Sequence, residues 1–364
     1  MIKFRIFGAS SATGIGIHSQ SIYQIGVKYE NSKYQFEFYN SHLHTDIENA
    51  LSTTKATDIN LFFFAESFAK QFLGVKIYYA VFESSRPTPG YNSWFDRFDY
   101  IFSPSKWGKE CMIAYGLPAE KIFVIPEGVD PYLYHPFAKK NRNIGDPFRI
   151  FMLGKYEPRK GYEVALEAFR IAFKQYPLIE LSIKADWATP SGGLIPQEFH
   201  NLVNNFADLP IVLMSGTVAS NEIAELYRRA DLFLFPSLCE GWGLPLIEAI
   251  ACGVPVVSSD YGGQSEFLMQ IENYYFKIPH ETNPIWCSKW KQTYVHADLD
   301  WGNWAKIDPV KLAECIIKAI NTDNREYLGR RASEVIRFNF SWNRVVDEII
   351  YQVENITATI TSNV

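Results

Sequence analysis

Short runs of apolar, β-branched and aromatic residues alternate along this chain with longer segments whose apolar positions recur every three or four residues. The short runs predict β-strands, and the longer segments predict helices. The predicted strands cover residues 3–7, 34–38, 59–64, 76–82, 100–102, 122–125, 148–153, 179–183, 211–214, 232–235 and 254–258. The predicted helices cover residues 162–173, 220–229, 245–252, 309–320 and 325–338. Strands that alternate with helices are typical of parallel α/β domains.

A polar stretch at residues 139–147, KKNRNIGDP, separates two such series of strands and helices. Its composition is that of an exposed linker between domains. We therefore expect a first Rossmann-like domain over residues 1–140 and a second over residues 147–338. Open α/β sheets bind ligands beyond the carboxyl ends of their strands, so two facing sheets would place both substrates in a cleft.

The composition is that of a globular protein and narrows the function classes. Of the 364 residues, 47% are hydrophobic and 21% are charged, which excludes a disordered or collagen-like chain. The 35 basic and 40 acidic residues give a net charge of −5, so we expect no nucleic-acid partner. No window of about 18 consecutive apolar residues occurs, and the five cysteines are scattered without metal-ligand spacing. We therefore expect a soluble protein of the reducing cytoplasmic compartment.

The strongest local signal for chemistry lies in residues 235–266, where a predicted strand ends in a glycine turn and a helix follows. The turn passes through Gly241 and Gly243, and a proline stands in the first helical turn. Backbone N–H groups at such a helix start can bind a diphosphate. Glu240 precedes the turn, and Glu248 lies one helical turn inside, where a carboxylate can accept hydrogen bonds from sugar hydroxyls. The alternative interpretations are a solvated loop acid at 240 and an acid at 248 that only stabilises the helix dipole.

A cluster of cations follows the first predicted strand of the second series. After Gly154, the residues Lys155, Arg159 and Lys160 stand within six positions of one another. Cations at the carboxyl end of a strand can neutralise a diphosphate, which we expect of Lys155 and Lys160. A solvated cationic turn is the alternative, and for Arg159 we favour that or a structural ion pair.

A glycine-rich turn follows the first predicted strand and carries Gly8, Gly14 and Gly16. Glycines allow the backbone to approach a ligand closely. As a dinucleotide fingerprint the turn is weak, because Ser19 occupies the third glycine position and no acidic residue ends the second predicted strand. A nicotinamide-dependent oxidoreductase is therefore disfavoured.

Together these motifs resemble the family 4 glycosyltransferases, which are retaining enzymes of the GT-B fold. The family's E-x7-E signature matches Glu240 and Glu248, and its GG-x-x-E turn follows at residues 262–266. The family's Arg-x4-Lys pair, which grips the donor's phosphates, falls on Lys155 and Lys160. Lysine replaces the commoner arginine at the first of these positions, which keeps the charge but loses bidentate geometry.

The resemblance implies an α/β protein of the GT-B fold, with two Rossmann-like parallel-sheet domains facing a cleft. The turn at Gly14 and Gly16 resembles the first-domain loop that faces donor phosphate and acceptor. Residues 123–130 match the family's interdomain strand and turn, with glutamate at 127 where asparagine is usual. Ser341 and Trp342 resemble the start of the family's C-terminal helix, so we expect residues 339–364 to form a helix that crosses back to the first domain.

The resemblance also implies transfer of a sugar from a nucleotide-diphosphate sugar with retention of anomeric configuration. Glu248 would bind the ribose hydroxyls, and Glu240 would orient the transferred sugar. The groups that would neutralise the departing diphosphate are Lys155, Lys160 and the backbone amides at Gly243 and Leu244. The predicted catalytic residues are thus Glu240, Lys160 and Lys155, and the predicted donor-binding residues are Gly14, Gly16, Gly154, Gly241, Gly243, Leu244 and Glu248.

One departure from the family pattern concerns the position after the fourth strand. Many family members carry a histidine there that touches the transferred sugar, whereas this chain has Glu83. Glu83 is therefore a candidate sugar or acceptor contact. A helix-capping or salt-bridged loop acid is the alternative.

Residues 283–304 contain four tryptophans without clear periodicity, which indicates an ordered loop or insertion. Core packing explains these rings better than stacking on sugars does. The same segment holds Asp298 and Asp300, the Asp-x-Asp form that binds metal in GT-A enzymes. Because this pair follows no predicted strand, we expect no metal site and no cofactor.

The expected partners are a nucleotide sugar donor and a glycan or lipid-linked acceptor. Lipid-linked acceptors are common in the family, which leaves a peripheral membrane contact open. Two alternative functions also stay open: another GT-B enzyme, such as a phosphorylase or epimerase, and a non-catalytic module that binds sugar nucleotides. A phosphorylase would need free phosphate, and a donor-hydrolysis assay would separate an enzyme from a binding module.

Overall fold

The structure is a computed structural model, and the chain divides into two compact units. The structure describes residues 1–10, 13–29, 33–64, 66–87, 91–137, 143, 145–186, 197–216, 218–285 and 300–362. The first unit comprises Met1–Phe82, Arg86–Gly128 and Phe340–Val364, and the second comprises Glu83–Ser85 and Val129–Asn339. In this division the second unit takes in Glu83–Ser85 and resumes at Val129, whereas the predicted boundary of the first domain lies at residue 140.

The first unit is built on a six-stranded parallel sheet in the order β2-β1-β3-β4-β5-β6. Its strands are β1 (Ile2–Gly8), β2 (Tyr34–Asn40), β3 (Ile59–Phe62), β4 (Val75–Tyr79), β5 (Tyr100–Ser103) and β6 (Ile122–Val124). Its helices are α1 (Gly14–Gly26), α2 (His44–Ser52), α3 (Tyr91–Phe95), α4 (Lys106–Ala114) and the C-terminal helix Trp342–Ser362. Short 3-10 helices occupy Val27–Tyr29, Glu66–Gln71 and Ala119–Lys121.

The core of the first unit explains why its central strands are continuous apolar runs. All four residues of β3 are buried, because helices cover both faces of a parallel sheet. Phe7 of β1 stacks on Phe62 of β3, with ring centroids 4.5 Å apart.

Within the described part of the chain, none of the helices combines the length and the hydrophobicity that a membrane-spanning segment requires.

The second unit is built on another six-stranded parallel sheet, in the order β12-β11-β10-β7-β8-β9. Its strands are β7 (Phe148–Lys155), β8 (Ile179–Asp186), β9 (Ile211–Met214), β10 (Leu232–Phe235), β11 (Val256–Ser258) and β12 (Phe276–Lys277). Its helices are α5 (Tyr162–Gln175), α6 (Gln197–Asn204), α7 (Ser220–Arg229), α8 (Leu244–Ala251), α9 (Ser265–Leu268), α10 (Pro309–Ile320) and α11 (Arg325–Asn339). The strand order reverses between β7 and β10, which is where a doubly wound sheet binds its ligand.

The structure describes only the two ends of the predicted loop or insertion at residues 283–304. The ends of this segment form an antiparallel hairpin of β13 (His280–Pro284) and β14 (Asn303–Ile307). Trp301 and Trp304 are buried, as core packing predicts. The other two tryptophans, Trp286 and Trp290, lie outside the described residues.

Candidate active site

The candidate site lies at the carboxyl ends of β7 and β10 in the second unit. The loop after β7 forms the short 3-10 helix Pro158–Lys160, and the loop after β10 leads into α8. The predicted residues Lys160 and Glu240 stand 80 positions apart in the chain, and here they meet. Lys160 Nζ donates to Glu240 Oε1 at 2.6 Å.

Glu240 is a buried carboxylate with three donors from its own unit. Arg159 donates to Oε2 at 2.7 Å, and Lys160 and Ser237 each donate to Oε1 at 2.6 Å. Burial alone would raise the pKa of Glu240, but the Arg159 and Lys160 cations lower it to about 2. Glu240 is therefore ionised, and the protein engages both of its oxygens. Its role in orienting a sugar stays a prediction.

Arg159 links the acids of the site through ion pairs, which is one of the two alternatives predicted for it. Its NH2 lies 2.6 Å from both Glu83 Oε1 and Glu157 Oε2, and its NH1 lies 2.7 Å from Glu240 Oε2. Burial alone lowers the pKa of Arg159, but the three carboxylates raise it well above its ordinary value. The guanidinium is therefore a fixed positive charge shared by three acids.

Glu83 is the salt-bridged loop acid that was predicted as the alternative to a sugar contact. Burial raises the pKa of its carboxyl, although the neighbouring Arg159 opposes this. About a third of the side chain, 34%, remains exposed. The ion pair leaves part of Glu83 accessible, so its predicted contact with a sugar or acceptor stays a prediction.

The two lysines predicted to meet a diphosphate differ in their surroundings. Lys160 is buried, and burial together with the neighbouring Arg159 lowers the pKa of its ammonium. Lys155 ends β7 and is partly exposed. Gly154 lies against Lys160, since a Cβ built on Gly154 would be 3.5 Å from Lys160 Cδ. The Gly154 carbonyl accepts a hydrogen bond from the Tyr162 hydroxyl at 2.8 Å, which fixes the backbone beside both lysines.

The turn between Glu240 and α8 is built on glycines in close contact. Gly243 has a φ of +100°, in the left-handed region that favours glycine, and directly precedes Leu244 at the start of α8. A Cβ built on Gly263 would lie 1.7 Å from the Gly241 carbonyl oxygen, and the Gly263 N–H donates to the Glu240 carbonyl at 2.7 Å. This contact fixes the backbone at Gly241. The amides at Gly243 and Leu244 stand at a helix start, where N–H groups lack intrahelical acceptors.

Glu248 lies inside α8 and is also buried. The Tyr227 hydroxyl donates to its Oε2 at 3.0 Å, and the Tyr134 hydroxyl is a second hydrogen-bond partner. Burial raises the pKa of Glu248 to about 7, although both hydroxyls oppose the shift. Neither tyrosine was predicted to belong to the site. Tyr227 lies in the last turn of a correctly predicted helix, but nothing in the neighbouring sequence marks it as a partner of Glu248.

Gly14 and Gly16 lie in the first unit, in the first turn of α1. The Thr13 hydroxyl caps this helix by accepting a hydrogen bond from the Gly16 N–H at 3.4 Å. Residues 11 and 12 of the predicted loop lie outside the described residues. A helix start with glycines can approach an anion closely, so the donor-binding role of this turn stays a prediction.

The Asp-x-Asp pair cannot be compared as a whole, because Asp298 lies outside the described residues. The Asp300 carboxylate accepts a hydrogen bond from the Gly302 N–H at 2.8 Å. Within the described part of the chain, histidine, cysteine and acidic side chains form no group of three that could hold a metal ion.

Two Rossmann-like units in one chain define the GT-B class of fold. Solved structures of this class match nearly the whole chain. Anabaena Alr3699/HepE in complex with UDP and glucose has a TM-score of 0.70 and 15% identity, covering 98% of this chain and 100% of that chain. Sucrose-phosphate synthase of Thermosynechococcus elongatus has a TM-score of 0.69 and 15% identity, covering 99% and 100%. These similarities confirm the predicted GT-B fold.

Residues 136–282 match the family described as Glycosyl transferases group 1. The D-inositol 3-phosphate glycosyltransferase of Paenarthrobacter aurescens is 34% identical over 164 residues, which cover 43% of this chain and 39% of that protein. The chain thus spans less than half the length of this curated relative. The second unit is therefore similar to the glycosyl transferases group 1 family, in agreement with the resemblance to glycosyltransferases predicted from the motifs.

Proposed function

We propose that this chain is a retaining glycosyltransferase that moves a sugar from a nucleotide-diphosphate sugar to a glycan or lipid-linked acceptor without a divalent metal. The observation that carries the proposal is the position of Lys155, Lys160 and the start of α8 at the strand-order reversal of the second sheet. A departing diphosphate gains negative charge as its bond to the sugar breaks, and preorganised cations and N–H groups stabilise that charge. The HepE structure, which this chain resembles in fold, is a complex with UDP and glucose, and this supports a nucleotide sugar as donor.

The surroundings of Glu240 favour retention by attack on one face of the sugar. Double displacement needs a carboxylate nucleophile facing the sugar carbon. Arg159, Lys160 and Ser237 engage both oxygens of Glu240, which makes it a poor nucleophile. In the same-face reaction the bond from the sugar carbon to the diphosphate breaks, and a bond to the acceptor oxygen forms. The acceptor's proton passes to an oxygen of the departing diphosphate.

The same charges support the proposed metal independence. A hard cation at the diphosphate would need several oxygen ligands from the protein. The acids at this point, Glu240 and Glu83, are already paired with Arg159. Lys155 and Lys160 supply the positive charge in place of an ion, and Glu248 remains for the ribose hydroxyls.

The proposal is tested first by binding and then by turnover. A panel of UDP-, GDP- and ADP-sugars is screened by thermal shift, since a ligand at 100 times its Kd stabilises a protein by about 2.7 kcal/mol. The best sugar nucleotide is then assayed for release of its nucleoside diphosphate, with and without EDTA and with and without inorganic phosphate. Release that needs no metal and no phosphate supports a transferase. A requirement for phosphate would identify a phosphorylase, and binding without any release would identify a non-catalytic module.

A further inference from the structure

The hairpin of β13 and β14 joins two separate parts of the candidate site. The Ala305 N–H of β14 donates to the Leu238 carbonyl at 2.8 Å, in the loop that carries Glu240. The Trp304 indole N–H donates to the Glu83 carbonyl at 2.8 Å. The hairpin therefore connects the Glu240 loop to the segment Glu83–Ser85, which belongs to the second unit although its chain neighbours belong to the first.

A second pair of hydrogen bonds strengthens the attachment of Glu83–Ser85. The Asn303 N–H donates to Ser85 Oγ at 2.7 Å, and the Ser85 N–H donates to the Asn303 carbonyl at 3.4 Å. Trp304 is fully buried, so water cannot replace the Glu83 carbonyl as the acceptor of its indole N–H. A buried N–H group that loses its acceptor destabilises the folded protein, so the hydrogen bond from Trp304 to Glu83 should be kept in the native state.

This attachment uses only the backbone of Glu83 and leaves its carboxylate for Arg159. One carboxylate oxygen lies 2.6 Å from Arg159 NH2, while 34% of the side chain stays exposed. We propose that Trp304 is a positioning residue for the sugar subsite: it holds the Glu83 backbone so that one oxygen of Glu83 stays on Arg159 and the other faces the transferred sugar. The inference rests on the proposed function and gives Trp304, in the segment of residues 283–304, a role in sugar transfer.

The test compares Trp304→Phe, which removes the N–H donor and keeps an aromatic ring, with Trp301→Phe as the matched control in the same segment. The assay measures nucleoside diphosphate release from the sugar nucleotide that gives the largest thermal shift. Because small misplacements of a positioning group cost large factors in rate, we expect Trp304→Phe to lower kcat about tenfold or more. The KM for the sugar nucleotide and the Kd for the free nucleotide should stay within about twofold, since the nucleotide is bound elsewhere.

Coupling to Glu83 distinguishes positioning from general support of the fold. Glu83→Gln should lower kcat, and the double variant with Trp304→Phe should be no slower than Glu83→Gln alone, because both changes act on one position. If Trp304→Phe fails to fold, Ser85→Ala replaces it with the same expectations, since it removes the acceptor of the Asn303 N–H.

Three results would overturn the inference while leaving the proposed function standing. They are a wild-type kcat in Trp304→Phe, an equal loss in kcat and nucleotide affinity, and fully multiplicative effects in the double variant. A wild-type protein that releases no nucleoside diphosphate from any sugar nucleotide of the panel would refute the proposed function, and this inference with it.

Discussion

Glu248→Gln tests the electrostatics of the candidate ribose site without requiring a substrate. Glu248 is 8% exposed and lies inside α8, with hydrogen bonds from the Tyr227 and Tyr134 hydroxyls. Burial raises the pKa of its carboxyl from 4.5 to about 7. Glutamine has nearly the same shape and stays neutral at every pH, so the substitution removes only the ionisation.

The sign of the effect follows from the two pKa values. Below pH 4.5 the carboxyl is neutral in both the folded and the unfolded chain. Between pH 4.5 and 7 only the unfolded chain ionises, and above 7 the native protein must ionise a buried group. The stability that the neutral form contributes is therefore lost progressively between pH 4.5 and 7, and the loss is complete once the pH has risen through 7. A shift of about two and a half units, at about 1.36 kcal/mol each, corresponds to a loss of about 3 kcal/mol.

The assay is urea unfolding of wild type and Glu248→Gln at several pH values between 5 and 8.5. The free energy of unfolding of the variant, relative to wild type, should rise by about 3 kcal/mol across this range. All other titrating groups are shared, so they cancel in the comparison. Parallel pH profiles of the two proteins would refute the reasoning, because Glu248 would then titrate like an exposed acid. If the ribose binds the ionised form, free-nucleotide affinity in wild type should also increase from pH 6 to 8, and it should not in the variant.

Three further predictions concern the diphosphate site. Lys160→Ala should lower kcat more than it raises the KM for the sugar nucleotide, because charge on the leaving group grows toward the transition state. The control is Lys174→Ala, which removes an exposed cation of α5. An effect confined to KM would contradict the prediction. Exhaustive chelation with EDTA should leave turnover unchanged, and near-complete loss restored by Mg²⁺ or Mn²⁺ would disprove metal independence. Gly263→Ala should lower stability by about 1–3 kcal/mol and weaken nucleotide binding, because its Cβ would lie 1.7 Å from the Gly241 carbonyl oxygen. Gly116→Ala, which would meet open space at a φ of +99°, should leave nucleotide binding intact in calorimetry.

Hydrophobic patterning was sufficient to predict those strands and helices whose burial depends on residues close to them in the sequence. The strands at residues 211–214 and 232–235 and the helices at 220–229 and 309–320 have the predicted bounds. All eleven predicted strands occur, with ends displaced by no more than three residues. The hairpin strand His280–Pro284 was missed because its residues are largely polar and partly exposed, and its partner strand begins about 20 residues later. Pairing at that distance leaves no local pattern.

Local sequence also determined that cations and acids would follow the strands that became β7 and β10. Only the strand order decided which of these cations and acids contact each other. It places β10 beside β7 and so brings Glu240 to Arg159 and Lys160. The same packing sets their chemistry. Glu240 and Glu248 are both buried, yet the pKa of Glu240 falls to about 2 and that of Glu248 rises to about 7. Two cations lie within hydrogen-bond distance of the first carboxylate, and tyrosine hydroxyls are the hydrogen-bond partners of the second. These partners are distant in the chain: Arg159 stands 81 positions from Glu240, and Tyr227 stands 21 positions from Glu248.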